Sequence, residues 1–437
     1  MEKKVVTRMP PSPTGLFHIG SARTALFNYL YAQQNGGKFI LRIEDTDKER
    51  SKKEFEENIL ESFKWLGIPY DEFYRQSERT EIYKKYLEEL IAKDLAYVSK
   101  EEPKEEGQRS EVIRFRNPNK KVKWHDLVLG EVEFDTTDLQ DFVIAKDPET
   151  PLYHFAVVVD DLAMGVSHVM RGQDLISNTP RQILIQEAIG CPRPLYAHIP
   201  LILAPDKTKL SKRHGALPVL EYREMGYLPQ AILNFLALIG WSPGNDKEIF
   251  TLDELVAEFS LEKIQKSAGV FNPKKLDWLN KEHMKLLPKE EIEKNILERL
   301  PENMRNLRLI PVIFERISKW GDVDSIVVSG ELDFMFKAPE MNKIDKTKLI
   351  FKDTPPEKIK TNLEFALKSL QNLEENNFTS EEVKNTLMLI ANNLPSRGEL
   401  LHPVRFALSG RDKSPDPFLI AEILGKNETI SRLQKAI

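Results

Sequence analysis

Two clusters of polar residues carry the chemistry open to this sequence. Pro11-Ser12-Pro13-Thr14-Gly15-Leu16-Phe17-His18-Ile19-Gly20 joins a short apolar run to a helical pattern. At such a strand-to-helix junction, the free N–H groups of the helix N-terminus attract phosphate. Gly20 allows close approach of a nucleotide, and His18 can donate a hydrogen bond to a phosphate oxygen. The plainer reading is a Pro/Gly turn with an incidental histidine. The second cluster is Lys207-Thr208-Lys209-Leu210-Ser211-Lys212-Arg213-His214, with no carboxylate after Asp206. Lysines there offer point charges to the oxygens of a triphosphate. Taken alone it is equally a solvated basic loop; with the first cluster, chance is a poor explanation.

The elements around these clusters follow from periodicity. Lys4–Met9 reads as a strand, and the prolines at 10, 11 and 13 exclude a helix after it. Ala22, Leu26, Tyr29 and Leu30 recur at helical steps, Gly36-Gly37 ends that helix, and Phe39–Ile43 is a strand. This is a βαβ unit. Helices are expected over Ser51–Leu66 and Arg79–Leu95, then a charged link, Lys100–Arg109. Short strands are expected at Val112–Phe115, Val132–Phe134, Phe142–Ile144, Phe155–Val159 and Val166–Met170. A helix at Thr179–Ile189 and a buried strand at His198–Leu203 lead into the lysine loop. Beyond Gly240 the sequence is helix after helix, including Lys289–Arg299, Pro355–Leu373 and Ser380–Asn393. The expected fold class is an α/β Rossmann-type catalytic domain with an α+β insertion, followed by all-α C-terminal domains.

Bulk properties narrow the function. The chain has 437 residues and a net charge of −5, so any nucleic-acid contact must use local patches. One cysteine, Cys191, excludes an internal disulfide and a multi-cysteine zinc site. The N-terminus lacks the apolar core of a signal peptide, and Ala231–Ile239 is too short to span a bilayer. A cytoplasmic enzyme is expected.

The two clusters resemble the signatures of class I aminoacyl-tRNA synthetases. His18-Ile19-Gly20-Ser21 is similar to the H-I-G-H motif, with Ser21 in the last position. Lys209-Leu210-Ser211-Lys212-Arg213 is similar to the K-M-S-K-S loop. The resemblance is specific to bacterial-type glutamyl-tRNA synthetase at Arg8 and Pro11–Gly20, Leu41–Asp47, Tyr74–Arg79, Val158–Asp161, Asn178–Gln182 and Pro403–Gly410. It implies ATP-dependent activation of L-glutamate, then transfer to tRNA(Glu), by a monomer using magnesium with ATP. It also implies the roles of side chains. Arg8 and Arg171 would meet the substrate carboxylates, Glu44 the ammonium, and Ser12 and Tyr153 would hydrogen-bond the amino acid. His18, Gly20, Ser21, Asp174 and Lys209 to Arg213 would hold ATP, with His18, Lys209 and Lys212 catalytic. Arg405 would contact tRNA.

The resemblance implies a partition at 1–74 and 171–240 for the catalytic domain, 75–170 for the insertion that grips the acceptor end, 241–306 for a helical stem-contact domain and 307–437 for the anticodon-binding domain. The link at 99–111 is shorter than the family's insertion, so structural zinc is not expected. Some relatives reject tRNA(Gln) with an arginine; here that position falls near Gly321, which implies tRNA(Gln) as a second acceptor. A glutaminyl-tRNA synthetase, whose C-terminus would be β-barrels, and a non-catalytic tRNA-binding relative remain the alternatives. Asp160-Asp161 reads as structural, because neighbouring strand residues face opposite sides. His154 and His168 read as satisfied fold histidines, and Asp45 and Asp47 as cap and turn residues.

Overall fold

The computed structural model describes residues 4–101, 111–208, 210, 217–339 and 346–437. The order at the N-terminus is β1 (Val6–Met9), α1 (Ile19–Gln34), β2 (Lys38–Ile43), α2 (Lys53–Leu66) and β3 (Glu72–Arg75), with β1-β2-β3 forming a parallel sheet. Side chains alternate across it. Phe39, Leu41 and Ile43 join Leu26 and Leu30 of α1 in one core. Val6 and Ile40 join a second core on the opposite face. Arg8 and Arg42 share that second face by the same alternation.

The chain continues through α3 (Thr80–Ala92), β4 (Ala96–Lys100), β5 (Glu111–Phe115), β6 (Lys121–Asp126), β7 (Gly130–Asp135), β8 (Phe142–Asp147) and β9 (Thr150–Pro151). β4, β5, β8 and β9 make an antiparallel sheet. Then follow α4 (Tyr153–Ala163), β10 (His168–Gly172), α5 (Thr179–Ala188), β11 (Leu195–Ile199) and β12 (Ile202–Leu203). β10 and β11 pair in parallel, and β10 meets β1 where Ser167 N–H donates to Val6 O at 3.0 Å. The β6–β7 hairpin docks on β11 through Asp126 and Tyr196. After α6 (Val219–Glu224), α7 (Pro229–Leu238), α8 (Leu252–Glu258), β13 (Gly269–Val270) and α9 (Pro273–Lys285), the first compact unit ends at Lys285.

The second unit begins at Leu286 and is helical: α10 (Lys289–Arg299), α11 (Ile310–Arg316), α12 (Gly321–Val328), α13 (Pro356–Gln371), α14 (Ser380–Ala391), α15 (Gly398–Ser409) and α16 (Pro417–Ala436). α13 to α16 pack on one another. Buried Arg432 of α16 donates to the carbonyls of Phe334 and Leu408. Among the described residues no helix is long and apolar enough to cross a membrane.

Two expectations need correction. Phe155–Val159 lies inside helix α4, not in a strand. Its valine run is β-branched, and Phe155 to Asp161 are all buried, so no polar face betrays the helical period. The single strand expected at His198–Leu203 is two, β11 and β12, separated at Pro200, which lacks the N–H a ladder needs. β3, β4 and β6 were not legible as strands.

Candidate active site

The carboxyl ends of β1, β2 and β10 open onto a cavity of about 850 Å³. Parallel α/β sheets bind ligands at this edge. Arg8, Ser12, His18, Gly20, Ser21, Glu44, Tyr153, Arg171, Asp174 and Leu210, all singled out from the sequence, line this one cavity. Lys209, Ser211, Lys212 and Arg213 lie outside the described residues. Lys146, Arg50 and His154 also line the cavity and were assigned no role.

A buried network sets the charge at the β1 and β2 ends of the cavity. Arg42, with no exposed surface, donates Nη2 to Glu44 Oε1 at 3.0 Å and Nη1 to Asp161 Oδ1 at 2.8 Å. Arg8 pairs through Nε with Asp161 at 3.2 Å, while its Nη1 is buried with no hydrogen-bond partner among the described residues. Asp160 accepts from Gln76 Nε2, Arg79 Nε and Tyr83 OH at 2.7–2.8 Å. The aspartates thus lock arginines in place. Asp160 and Asp161 sit on helix α4, not on a strand, so they do not face opposite sides of a sheet. Among the described residues no group of histidine, cysteine and carboxylate side chains is arranged to hold a metal.

Burial pushes the Glu44 carboxyl up to about 7, against the pull of Arg42 and Arg8. Burial also raises Asp161, but Arg8 and Arg42 outweigh it and hold the carboxyl below its ordinary range. Burial raises the Tyr153 phenol, with Glu44 adding to the effect.

Another wall of the cavity is built on the N-terminus of α1. His18 is its N-cap; Nδ1 accepts from Ser21 N–H at 3.3 Å, and Ser21 Oγ lies 3.3 Å from Nε2. Desolvation lowers the His18 pKa, opposed by Asp174, so the ring is neutral at pH 7. A Cβ on Gly20 would press against the His18 ring at 3.1 Å. The glycine therefore leaves the imidazole room. A Cβ on Gly172 would run into the Asp174 carboxylate, which positions that group at the end of β10.

The remaining sequence readings divide. His168 is satisfied, with Ser167 Oγ at 2.8 Å from Nδ1 and Tyr31 OH at 3.3 Å from Nε2. His154 is not: its Nδ1 is buried without a partner among the described residues, and burial, aided by Arg181, lowers its pKa to about 4. Asp45 ties Ser77 to the strand end at 2.6 and 2.8 Å, and Asp47 holds Arg50. Arg405 lies on α15 and donates to Ser414 Oγ at 2.9 Å.

Sequence reasoning missed Arg42, Asp126 and His198 as site-building residues. For Arg42 the signal was present. An arginine inside the apolar run Phe39–Ile43 must be buried, and a buried arginine must be paired.

A Rossmann-type sheet with an H-I-G sequence at its first helix and a pocket at the strand ends defines a class I aminoacyl-tRNA synthetase. The family model of class I tRNA synthetases (E and Q), catalytic domain, matches residues 4–110 and 100–278, in two pieces that meet at the charged link. An anticodon-binding-domain model matches residues 294–437. Glutamate–tRNA ligase 1 of Caldanaerobacter subterraneus subsp. tengcongensis is 39% identical over 483 aligned positions, covering 100% of this chain and 98% of the relative. The glutamate–tRNA ligase of Thermodesulfovibrio yellowstonii is 40% identical, covering 99% of each. A solved glutamate tRNA ligase from Elizabethkingia meningosepticum, in complex with its amino acid, superposes with a TM-score of 0.87 at 32% identity over 99% of each chain. The chain belongs to the glutamate–tRNA ligase family of class I aminoacyl-tRNA synthetases.

Proposed function

We propose that this chain joins L-glutamate to the 3′ end of tRNA(Glu) in two steps. An oxygen of the glutamate α-carboxylate attacks the α-phosphorus of ATP, and pyrophosphate leaves. The terminal ribose hydroxyl then attacks the carbonyl carbon of the adenylate, and AMP leaves. No protein nucleophile is needed; catalysis is positioning and charge stabilisation.

One observation carries the reading: buried Arg8, whose Nη1 has no partner among the described residues, lines one pocket together with Glu44 and Arg171. Two guanidiniums suit two carboxylates, and one carboxylate suits one ammonium. Ser12 and Tyr153 hydrogen-bond the amino acid in this reading. His18, Gly20, Ser21, Asp174 and Leu210 receive ATP as its magnesium complex, with Lys209, Ser211, Lys212 and Arg213 on its phosphates. Arg405 contacts tRNA. The division into 1–74 with 171–240, 75–170, 241–306 and 307–437 assigns catalysis, acceptor end, stem and anticodon respectively. The enzyme acts in the cytoplasm as a monomer, without structural zinc.

ATP–pyrophosphate exchange in the presence of tRNA tests the assignment. Exchange is expected with glutamate and not with glutamine or aspartate. Equal exchange with glutamine would overturn the pocket reading.

A further inference from the structure

Among the described residues Arg171 donates hydrogen bonds to three neighbours, and none is a carboxylate. Nε donates to His198 Nε2 at 3.2 Å, Nη1 to Gln182 Oε1 at 2.8 Å and Nη2 to Thr179 Oγ1 at 2.7 Å. A guanidinium has five N–H groups, so one on each Nη is left over. The cation is therefore oriented without being neutralised by direct contact, and it lines the pocket. Arg171 and His198 are ladder partners on β10 and β11, which explains their proximity.

The hydrogen-bond chain also fixes the state of His198. Arginine only donates, so Nε2 must carry the lone pair and Nδ1 the proton. Nδ1 lies 2.5 Å from Asp126 Oδ2. Asp126 is fixed in turn, because Oδ1 accepts from the backbone N–H groups of Val128, Leu129 and His198 at 3.0–3.2 Å. Asp126 and His198 have no exposed surface and lie outside the pocket lining. Burial lowers the pKa of His198, in keeping with a neutral ring.

We propose that Asp126 and His198 are positioning residues for Arg171: the carboxylate sets the imidazole tautomer, and the imidazole aims the guanidinium at a substrate carboxylate. The proposal rests on the reading of Arg171 as a partner of glutamate. Asp126 comes from the hairpin between the two halves of the parallel framework, so amino-acid recognition depends on a residue that the sequence places in the insertion.

Asp126→Asn is the discriminating variant because it conserves shape. Its amide nitrogen must face either the backbone donors or His198 Nδ1. Facing the histidine costs less, and it drives the ring to the Nε2–H tautomer, donor against donor with Arg171. The KM for glutamate should rise about tenfold or more, as expected for a lost acceptor at a buried donor, while the KM for ATP stays within about twofold. His198→Ala should behave alike. Arg171→Lys, which cannot satisfy all three neighbours, separates the two layers of the argument. If it leaves the glutamate KM unchanged, the substrate role of Arg171 fails. If it raises that KM while both Asp126→Asn and His198→Ala leave it near wild type, the positioning role alone fails. A parallel rise in both KM values would show general loss of structure and overturn the proposal. Imidazole 15N spectra of the glutamate-saturated wild type, with the His198 ring assigned through its own backbone resonances, need no variant. The Nδ1–H tautomer is expected at His198; an imidazolium or the Nε2–H form overturns the proposal.

Discussion

Glu44 Oε1 accepts from Arg42 Nη2 at 3.0 Å, two residues back on the same strand end, yet burial still carries the carboxyl up to about 7. Its charge is therefore conditional in the neutral range. The protonated form dominates below about pH 7 and the carboxylate above it. Only the carboxylate pairs with an ammonium. The KM for glutamate should climb as pH falls through 7, approaching about tenfold per unit on the acid side. Steady-state activation at saturating ATP between roughly pH 5.5 and 8.5 measures it. A flat profile for wild type would mean that Glu44 does not titrate in this range or does not meet the substrate.

Asp160 is the structural counterpart. With no exposure, it accepts from Gln76, Arg79 and Tyr83, and it lies 3.7 Å from Arg42. Asp160→Ala leaves buried donors and cations without their partner, a loss of about 3–5 kcal/mol. Urea unfolding of the variant should show it. A change below about 1 kcal/mol would mean that water enters and replaces the carboxylate.

Arg8 is proposed to serve both roles. Its Nε pairs with Asp161, which also pairs with Arg42 at 2.8 Å, and its Nη1 has no protein partner among the described residues. Arg8→Ala should reduce kcat/KM for glutamate by about 2–5 kcal/mol with the KM for ATP unaltered. Equal losses for the two substrates would place Arg8 in the scaffold instead of the binding site.

What could be read from sequence alone depended on whether a residue's neighbours lie close along the chain. His18, Gly20 and Ser21 belong to one turn of helix, and their grouping was visible at once. Arg8, Glu44 and Arg171 became candidates only through resemblance, because three strands bring them together. Asp126 and His198 are far apart in sequence, and each carries an ordinary local context. Their meeting is a product of the hairpin docking on β11. The valine run of α4 shows the opposite failure. When every side chain is buried, the pattern that distinguishes helix from strand disappears.

Lys212 is the sharpest catalytic expectation in the lysine loop. A cation that stabilises developing charge in a water-poor site contributes about 3 kcal/mol, so Lys212→Ala should slow activation by about two orders of magnitude. The melting temperature should not move, since a charged loop side chain contributes little to the core. Wild-type turnover in that variant would remove Lys212 from the mechanism.

In the proposed reading the choice of tRNA rests on the second unit, most of which matches an anticodon-binding-domain model. Gly321 opens α12 and has no side chain to read a base. Beside it, Trp320 is buried, and Asp322 accepts the backbone N–H groups of Ser318 and Lys319 while its other oxygen pairs with Lys319 Nζ at 3.0 Å. The lysine charge is therefore engaged within its own turn, and the tetrapeptide holds no arginine. If this turn faces the third anticodon base, which differs between glutamate and glutamine tRNAs, that base meets no arginine from the tetrapeptide. Glutamate should accordingly be attached to both tRNAs, with the glutamine tRNA a competent acceptor. Purified tRNA(Gln) offered with radiolabelled glutamate decides it. Acid-precipitable product on both tRNAs is the expected result. Normal charging of tRNA(Glu) with none on tRNA(Gln) would show that discrimination comes from elsewhere in the helical unit, and Gly321→Arg would then have no selectivity left to add.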